Sequence, residues 1–453
     1  MIKKYAFTPI KSSLEIWRGI QLEILKDIGE GLYIEYKRDA LQASDIAKQL
    51  AAFANESGGW LFFGIEEKGP ERKAGTFSGI NNKNISILTD RVRDVATQTI
   101  QPPVDLEYKV IEGPVPEIQL ETDSSILIIG IPQSFNTPHI YAGKIYRRVA
   151  DKSEPKSETD HNIIHKLWQR RENARKNLED FTSNLPLLSE QQKDNTWIHI
   201  YLITDLFLDE YYSLKFHDFV KIMRPEFELE HGGMHMDNFF PTKDGFICRH
   251  VFKNNPTDFL LSFRWWKNGN ARLSIPINIY DIDSSNEIID SYKFFKEFIF
   301  LAKTQGFSNI RIGDFSYFFH VVVNLCNQYL EINKLIINDK PIQLRIIVSN
   351  SLRLSPFIDD KEFIDNSNNY GIPVIEDKDI YIPRKVDFDT LISYENISTE
   401  LPEPKCLSLG FLIIFLVLNS TGILHQPDSL INFKSFFKKE ENLYNQDSTN
   451  IEL

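Results

Sequence analysis

The feature that most constrains the fold is Trp60–Ile65, an unbroken apolar run of six residues. A strand with one solvated face alternates apolar and polar residues, whereas a central strand buried on both faces is apolar throughout. A helical pattern precedes the run, and Asn55–Gly59 ends that helix because Asn and Gly tolerate a left-handed turn. Helix, turn and buried strand together predict a mixed α/β domain around a sheet covered on both faces.

An earlier segment, Leu14–Lys26, also has a helical pattern. It places Ile16, Ile20, Ile24 and Leu25 at helical spacing. We therefore expect a helix over this segment.

Charge divides the chain into two regions. Residues 1–176 contain 25 Lys and Arg and 24 Asp and Glu. The whole chain has 51 basic and 63 acidic residues, so the remainder has 26 basic and 39 acidic residues, a net charge of −13. Because residues after 176 are this acidic, they are expected to repel a polyanion such as nucleic acid. Any nucleic-acid site is therefore expected in residues 1–176.

Composition also predicts the domain boundaries. At 453 residues the chain is long enough for two or three domains. The polar stretch 182–195 is the expected linker between an N-terminal domain, residues 1–181, and an acidic C-terminal domain, residues 196–440, in which strand-like and helix-like segments mix. Residues 441–453 are expected to form a flexible tail. The predicted fold class is α+β.

The chain has the composition of a reduced, cytoplasmic protein. Its three cysteines, Cys248, Cys326 and Cys406, are far apart in sequence, which is typical of buried thiols. The longest apolar run, Cys406–Leu418, is shorter than the about 20 residues that span a bilayer. We expect no membrane contact.

The residues that suggest chemistry lie around a short predicted strand. Along Leu32–Lys37, Glu35 and Lys37 share one face with Tyr33, while the alternate residues supply the core. Glu30 lies between two glycines just before this strand, where the backbone can bend toward the same patch. On pattern alone, a Glu and a Lys on one strand face are more typical of a solvated strand edge than of a catalytic site.

A further acidic pair, Glu66 and Glu67, follows the buried run. If the two strands are neighbours, Glu30, Glu35 and Glu66 converge, and three close carboxylates require a cation to neutralise them. All-oxygen sites of this kind suit Mg²⁺ or Mn²⁺, which can activate water and polarise a phosphoryl oxygen in phosphodiester cleavage. Lys37 could stabilise the developing charge.

These motifs, taken in order, resemble the AlbA-type domain of the Schlafen family. The resemblance rests on Glu30-x4-Glu35-x-Lys37, on Ala52–Gly59 followed by Trp60–Glu66, and on the later segments Ile126–Pro132 and Ile145–Val149. It covers about residues 14–170. It implies a mixed α/β domain and, in the nuclease-active members, a metal-dependent site of three carboxylates that cleaves tRNA and rRNA.

The resemblance also implies roles for particular residues. Glu30 and Glu35 correspond to the first two acids, and Glu66 occupies the position of the third, where the family usually has Asp; Glu67 is the alternative third acid. Animal Schlafens grip RNA between two such lobes, so we expect this single-lobe chain to form a homodimer.

The predicted function is that of a metal-dependent endoribonuclease acting on tRNA or other structured RNA, with the C-terminal domain as a regulator or sensor, as in a toxin or antiviral defence effector. Expected backbone-binding residues are Arg38, Arg147 and Arg148; of the last two only one is expected to meet phosphate, because adjacent strand residues face opposite sides. The alternatives are a catalytically inactive nucleic-acid-binding transcriptional regulator and an interaction protein whose lobe only dimerises.

Overall fold

The computed structural model describes residues 5–10, 12, 14–149, 152–186, 188–189, 192–205, 211–225, 236–252, 255–282, 292–336, 342–386, 390–394 and 405–421. It contains two compact units: an N-terminal unit, Lys3–Lys176, and a C-terminal unit that begins at Asn177. Both units contain helices and sheets, so the α+β class is confirmed. The predicted tail, 441–453, and the end of the predicted C-terminal domain lie outside the described residues.

Ten strands and three α-helices are described in the N-terminal unit. The strands are β1 (Ile34–Lys37), β2 (Gly59–Phe63), β3 (Glu66–Lys68), β4 (Lys73–Thr76), β5 (Ile80–Asn81), β6 (Glu107–Glu112), β7 (Ser124–Ile131), β8 (Ile140–Tyr141), β9 (Lys144–Val149) and β10 (Lys152–Ser157). The helices are α1 (Ala43–Asn55), α2 (Asn82–Asp94) and α3 (His161–Ser183). Since α3 continues through position 176, the boundary between the units lies inside a helix, before the linker that composition predicts.

The central sheet of this unit has the order β1-β2-β7-β5, and β6 also pairs with β7. Strands β1 and β2 are parallel, with Glu35 opposite Leu61 and Lys37 opposite Phe63. Every residue of β2 is buried, which confirms the prediction of a central strand. Trp60 and Phe62 pack in the core on one face of the sheet, and Leu61 and Phe63 pack in a second core with α1 and α2.

The segment Leu14–Lys26 forms 3₁₀ turns instead of the predicted α-helix. A 3₁₀ helix repeats every three residues, so Leu22 and Leu25 share the buried face. Of the apolar residues at the predicted helical spacing, Leu25 is buried, whereas Ile16, Ile20 and Ile24 are exposed by 62%, 54% and 46%.

The C-terminal unit is built on a ten-stranded sheet in its described part. Its strands are β11 (Thr196–Ile203), β12 (Asn238–Thr242), β13 (Gly245–Phe252), β14 (Asn255–Trp266), β15 (Ala271–Asp281), β16 (Arg311–Asp314), β17 (Gln343–Ser349), β18 (Leu354–Phe357), β19 (Ile380–Ile382) and β20 (Ile392–Ser393). The helices are α4 (Phe216–Met223), α5 (Phe295–Thr304), α6 (Phe315–Ile336), α7 (Lys361–Tyr370) and α8 (Lys405–Ser420).

This sheet has the order β12-β13-β14-β15-β11-β17-β19, and its apolar face packs in a large core with the helices. Cys248 and Cys326 are buried free thiols, as predicted. Within the described ranges, no helix combines the length and apolar character that crossing a membrane requires.

Candidate functional site

Lys37 lies next to both Glu30 and Glu35, the two acidic residues of the predicted site that precede it in the sequence. Ile34 and Tyr36 of β1 point into the core, so Glu35 and Lys37 project together from the other face. The Lys37 ammonium donates a hydrogen bond to Glu35 Oε1 and lies 3.9 Å from Glu30 Oε1. Glu30 also accepts a hydrogen bond of 2.7 Å from the backbone N–H of Tyr36, which fixes its carboxyl group below the strand.

Arg148 holds the other side of Glu35. This side chain has no exposed surface, and its Nη2 donates to Glu35 Oε2 at 2.8 Å while its Nη1 donates to Gln49 Oε1 at 2.8 Å. Its guanidinium also donates to the carbonyl of Gly31 and stacks over the Phe53 ring at 4.3 Å. The prediction that Arg148 binds nucleic acid is therefore wrong for this structure, because β9 directs the side chain into the interior, where its donors are already used.

Arg72 brings a third acidic residue to the same place. Its Nη2 lies 2.5 Å from Glu30 Oε2, and its Nε donates to Glu67 Oε2 at 2.5 Å. Together these residues form a charge cluster of three carboxylates and three cations: Glu30, Glu35, Glu67, Lys37, Arg72 and Arg148. Sequence reasoning missed Arg72, which lies in the β3–β4 turn, where no periodic pattern marks a functional residue.

Glu66 does not join the charge cluster. Its side chain is 46% exposed and forms an ion pair of 3.6 Å with Arg38, which is 61% exposed. The prediction of Glu66 as the third acid is corrected by this geometry, because adjacent residues of an extended strand face opposite sides and Glu67 is the one that faces Glu30. The alternative residue, Glu67, is therefore the acid that the structure brings to the cluster.

Arg147 is occupied by acidic partners rather than open to a ligand. It is paired with Glu56 and, at 2.7 Å, with Glu158, and 19% of its side chain is exposed. Of the three predicted backbone-binding arginines, Arg38 is thus the one with a largely exposed side chain.

An open cleft of about 710 Å³ lies beside the charge cluster. Four cationic side chains and three acidic ones line it, together with Leu41, Gln49 and Pro155. The charged lining residues are Lys37, Lys48, Arg72, Lys156, Glu35, Asp45 and Glu154. Glu35 is the only member of the predicted acidic triad in this lining, and the side chain of Glu30 has no exposed surface.

Burial changes the protonation of Glu30. Burial, and then the nearby charge of Glu35, raise the pKa of Glu30 to about 7. The protonated Glu30 carboxyl can donate a hydrogen bond to Glu67, whose own pKa is lowered chiefly by its hydrogen bond with Arg72. Burial also lowers the pKa of Arg148.

As arranged, the cluster does not fit a divalent metal ion. Carboxylate oxygens are suitable ligands for Mg²⁺ or Mn²⁺, but here Lys37, Arg72 and Arg148 already engage all three acidic side chains. Across the part of the chain that the structure describes, no group of three or more His, Cys, Asp or Glu side chains is placed to hold a metal.

Comparison with known proteins gives one family match. The family model described as "Schlafen, AlbA_2" matches residues 30–157. No curated protein sequence matches the chain significantly. The family match supports a nucleic-acid-related function.

Two solved structures share low similarity with the chain. One is the DIP2311 protein from Corynebacterium diphtheriae, with 17% identity, a TM-score of 0.21 and coverage of 34% of this chain and 31% of that one. The other is the N-terminal domain of a Nitrosomonas europaea protein described as related to the ATP-dependent DNA helicase RecG. It has 21% identity and a TM-score of 0.20, and the match covers 31% of this chain and 92% of that one. The chain therefore spans about a third of the length of the DIP2311 protein.

Proposed function

From the premise that residues 30–157 form a Schlafen AlbA_2-type domain, we propose that the N-terminal unit binds the phosphate backbone of RNA in the cleft and cleaves it. The observation that carries this proposal is the cleft itself, which sets Lys37, Lys48, Arg72 and Lys156 around Glu35. Phosphate contacts from Lys and Arg supply most of the sequence-independent affinity of proteins for nucleic acids.

Lys48 and Lys156 suit the first contact with the backbone. The Lys48 side chain is 37% exposed, and its ammonium lies 2.8 Å from the carboxylate of Asp45, whose side chain is 49% exposed. Such exposed pairs contribute at most about 1 kcal/mol, so a phosphate can replace the carboxylate at little cost. Binding would then depend strongly on salt.

Glu35 and Lys37 suit the chemical step. Lys37 is 25% exposed and can turn its ammonium toward a phosphoryl oxygen, where it would stabilise the charge of the transition state. A bound phosphate that draws Lys37 away would free Glu35 Oε1 to accept a proton from an attacking water. The water oxygen would bond to phosphorus as one P–O ester bond of the RNA backbone breaks, and the leaving ribose oxygen would take a proton from solvent. The Glu30 side chain has no exposed surface, so its role would be to position Lys37 and Arg72.

Mg²⁺ or Mn²⁺ stays a prediction, as does the homodimer. A C-terminal regulatory or sensor role and a toxin or antiviral setting are likewise proposals. Light scattering of the purified full chain would test the dimer: twice the chain mass supports it, and the mass of one chain contradicts it.

The second candidate is a nucleic-acid-binding regulator that does not cleave. The pairing inside the charge cluster favours it, because each carboxylate of the cluster is engaged by Lys37, Arg72 or Arg148. This candidate retains the cleft as the binding site and gives Glu35 only a structural role.

The deciding experiment incubates the full chain with total tRNA, with Mn²⁺ or with EDTA. Glu35→Gln tests the cleft carboxylate, and Glu112→Gln, an exposed residue of β6, is the matched control. Cleavage that Glu35→Gln abolishes and Glu112→Gln retains supports the nuclease, and its loss in EDTA supports the metal. A salt-sensitive shift without cleavage supports the regulator. No binding and no cleavage contradicts both.

A further inference from the structure

Trp168 differs from the other tryptophans of the chain in its exposure. It is 55% exposed, whereas the other five are each at most 7% exposed: Trp17, Trp60, Trp197, Trp265 and Trp266. An aromatic ring contributes most to stability when it is buried. The fold therefore gains little from this indole, which lies on α3.

The side of α3 that packs on the N-terminal unit is a different one. Leu167 is buried, and its carbonyl accepts a hydrogen bond from the Thr137 hydroxyl. Nearly one turn later, Arg170 Nη1 donates to the carbonyls of Asn55 and Glu56 at 3.0 and 2.9 Å. Leu167 and Arg170 thus define the packed side of the helix.

Three flat rings and a guanidinium share the other side of α3. At 3.6 residues per turn these side chains lie within an arc of about 80°, and we call them the outer stripe: His161, His165, Trp168 and Arg175. The centre of the arc is about 150° of helix rotation from the packed side. His161 and His165 are exposed, and their rings are nearly parallel, with centroids 6.4 Å apart and an interplanar angle of 8°.

The charge around the outer stripe is positive. Residues 161–176 contain five Lys and Arg and one Glu, a net charge of +4, in a chain whose net charge is −12. The acidic residue, Glu172, pairs with Arg175 at 3.0 Å, and the two side chains are 65% and 43% exposed. Such exposed pairs contribute little to stability, so a phosphate can replace the Glu172 carboxylate beside Arg175.

We infer that the outer stripe binds unpaired RNA, with a base stacked on Trp168 and a phosphate held by Arg175. Aromatic side chains stack on the exposed bases of single strands, and basic side chains beside them contact the backbone. A lipid surface is a poorer match, because a helix that binds one needs a broad apolar face and Trp168 is the only apolar member of the outer stripe.

The outer stripe begins close to the cleft that we propose as the RNA-binding site. Lys156 lines that cleft, and His161 follows five residues later, at most about 18 Å away along an extended chain. An RNA strand that leaves the cleft beside Lys156 can therefore reach α3 within a few nucleotides. The inference rests on the proposed function in this respect, and it names unpaired RNA as the part of the substrate that extends beyond the cleft.

Fluorescence anisotropy of labelled RNA with the full chain in EDTA tests the inference. The probes are an oligouridylate of about 12 nucleotides and an RNA duplex of the same length. Trp168→Leu should weaken binding of the single strand by at least about fivefold, the smaller loss expected for one stacked base, and should leave duplex binding unchanged because paired bases are already stacked. Trp168→Phe, which keeps an aromatic ring, should retain most of the affinity.

Phe300→Leu is the matched control, because it removes an aromatic side chain that is 73% exposed from α5 in the C-terminal unit. It should change the affinity for neither RNA. Salt dependence tests the phosphate contact separately. Arg175→Gln should reduce the slope of log affinity against log salt by about 0.7, the value for one phosphate contact of a single strand, whereas Trp168→Leu should leave the slope unchanged because it removes no charge.

Equal affinity of the wild type and Trp168→Leu for the single strand would overturn the inference, as would an equal loss for the single strand and the duplex. A thermal midpoint that falls more in Trp168→Leu than in Phe300→Leu would instead assign the indole a structural role. Binding to phosphatidylserine vesicles that requires Trp168, when RNA binding does not, would assign the outer stripe to a membrane.

Lys48→Gln separates this inference from the proposed function, because Lys48 lines the cleft and the outer stripe lies on α3. Weaker binding of the single strand in Lys48→Gln but not in Trp168→Leu retains the cleft and removes the outer stripe. The reverse result retains the outer stripe and removes the cleft. No binding of either RNA by the wild type would overturn both.

Discussion

Replacing Arg148 with Met should destabilise the N-terminal unit by about 3–5 kcal/mol. Met fills much of the same volume and keeps contact with the Phe53 ring, so little of this cost comes from a cavity. The cost is electrostatic: Arg148 has no exposed surface, and its removal leaves the Glu35 carboxylate 1% exposed with Lys37 as its remaining cation. Breaking a buried pair by removing one partner has a cost of this size.

Hydrogen exchange of the full chain, followed by mass spectrometry, measures the effect within the N-terminal unit alone, since peptides from β1 and α1 report their own opening free energy. A loss of about 3–5 kcal/mol corresponds to exchange faster by roughly 10² to 10⁴ in these peptides. Arg38→Met is the matched control: it removes the same charge from a pair that is 61% and 46% exposed, where about 0–1 kcal/mol is expected.

The double variant with Glu35→Gln identifies the cause. A neutral amide no longer needs a cation, so Arg148→Met should cost at least about 1 kcal/mol less in the Glu35→Gln background than in the wild type. Equal exchange in Arg148→Met and Arg38→Met, or equal cost of Arg148→Met in both backgrounds, would refute the account of Arg148 as the buried counter-ion of Glu35.

Three further predictions concern the same unit. Since the pKa of Glu30 is raised to about 7 in the folded state, folding favours its protonated form. The free energy of unfolding, relative to that of Glu30→Gln, should therefore fall by a few kcal/mol as pH rises from about 4.5 to 7 and stay level above pH 7. Urea unfolding of both proteins across this range measures the difference, and a difference that does not change with pH contradicts the prediction. Gly64→Ala should lower the free energy of unfolding by more than about 1 kcal/mol, because φ is +92° and the new Cβ would lie 2.8 Å from Gly79 Cα. In the control variant Gly31→Ala the new Cβ meets nothing within 4 Å, so thermal unfolding should show almost no change in stability. If the cleft binds RNA, Lys48→Gln should reduce the slope of log affinity against log salt by about 1 for any RNA sequence, and an unchanged slope would exclude Lys48 from the interface.

Local pattern was sufficient to predict part of the fold and part of the site. The apolar run Trp60–Ile65 identified the central strand, and alternation along β1 placed Glu35 and Lys37 on one face, because both depend only on the two-residue repeat of a strand. The α-helix expected from Ile16, Ile20, Ile24 and Leu25 was wrong, because a three-residue repeat fits the same segment. This repeat buries Leu22 together with Leu25 and leaves the three isoleucines exposed.

The partners of the acidic residues were decided by tertiary structure. Glu35 meets Arg148 from 113 residues away, and Glu30 meets Arg72 across a turn, so neither pairing leaves a periodic signal in the sequence. Whether Glu66 or Glu67 reaches the cluster depends on which way each side chain of β3 faces. Sequence pattern determines which faces of a segment are polar; the long-range approach of strands determines which charges meet, and therefore which are neutralised and which remain available to a ligand.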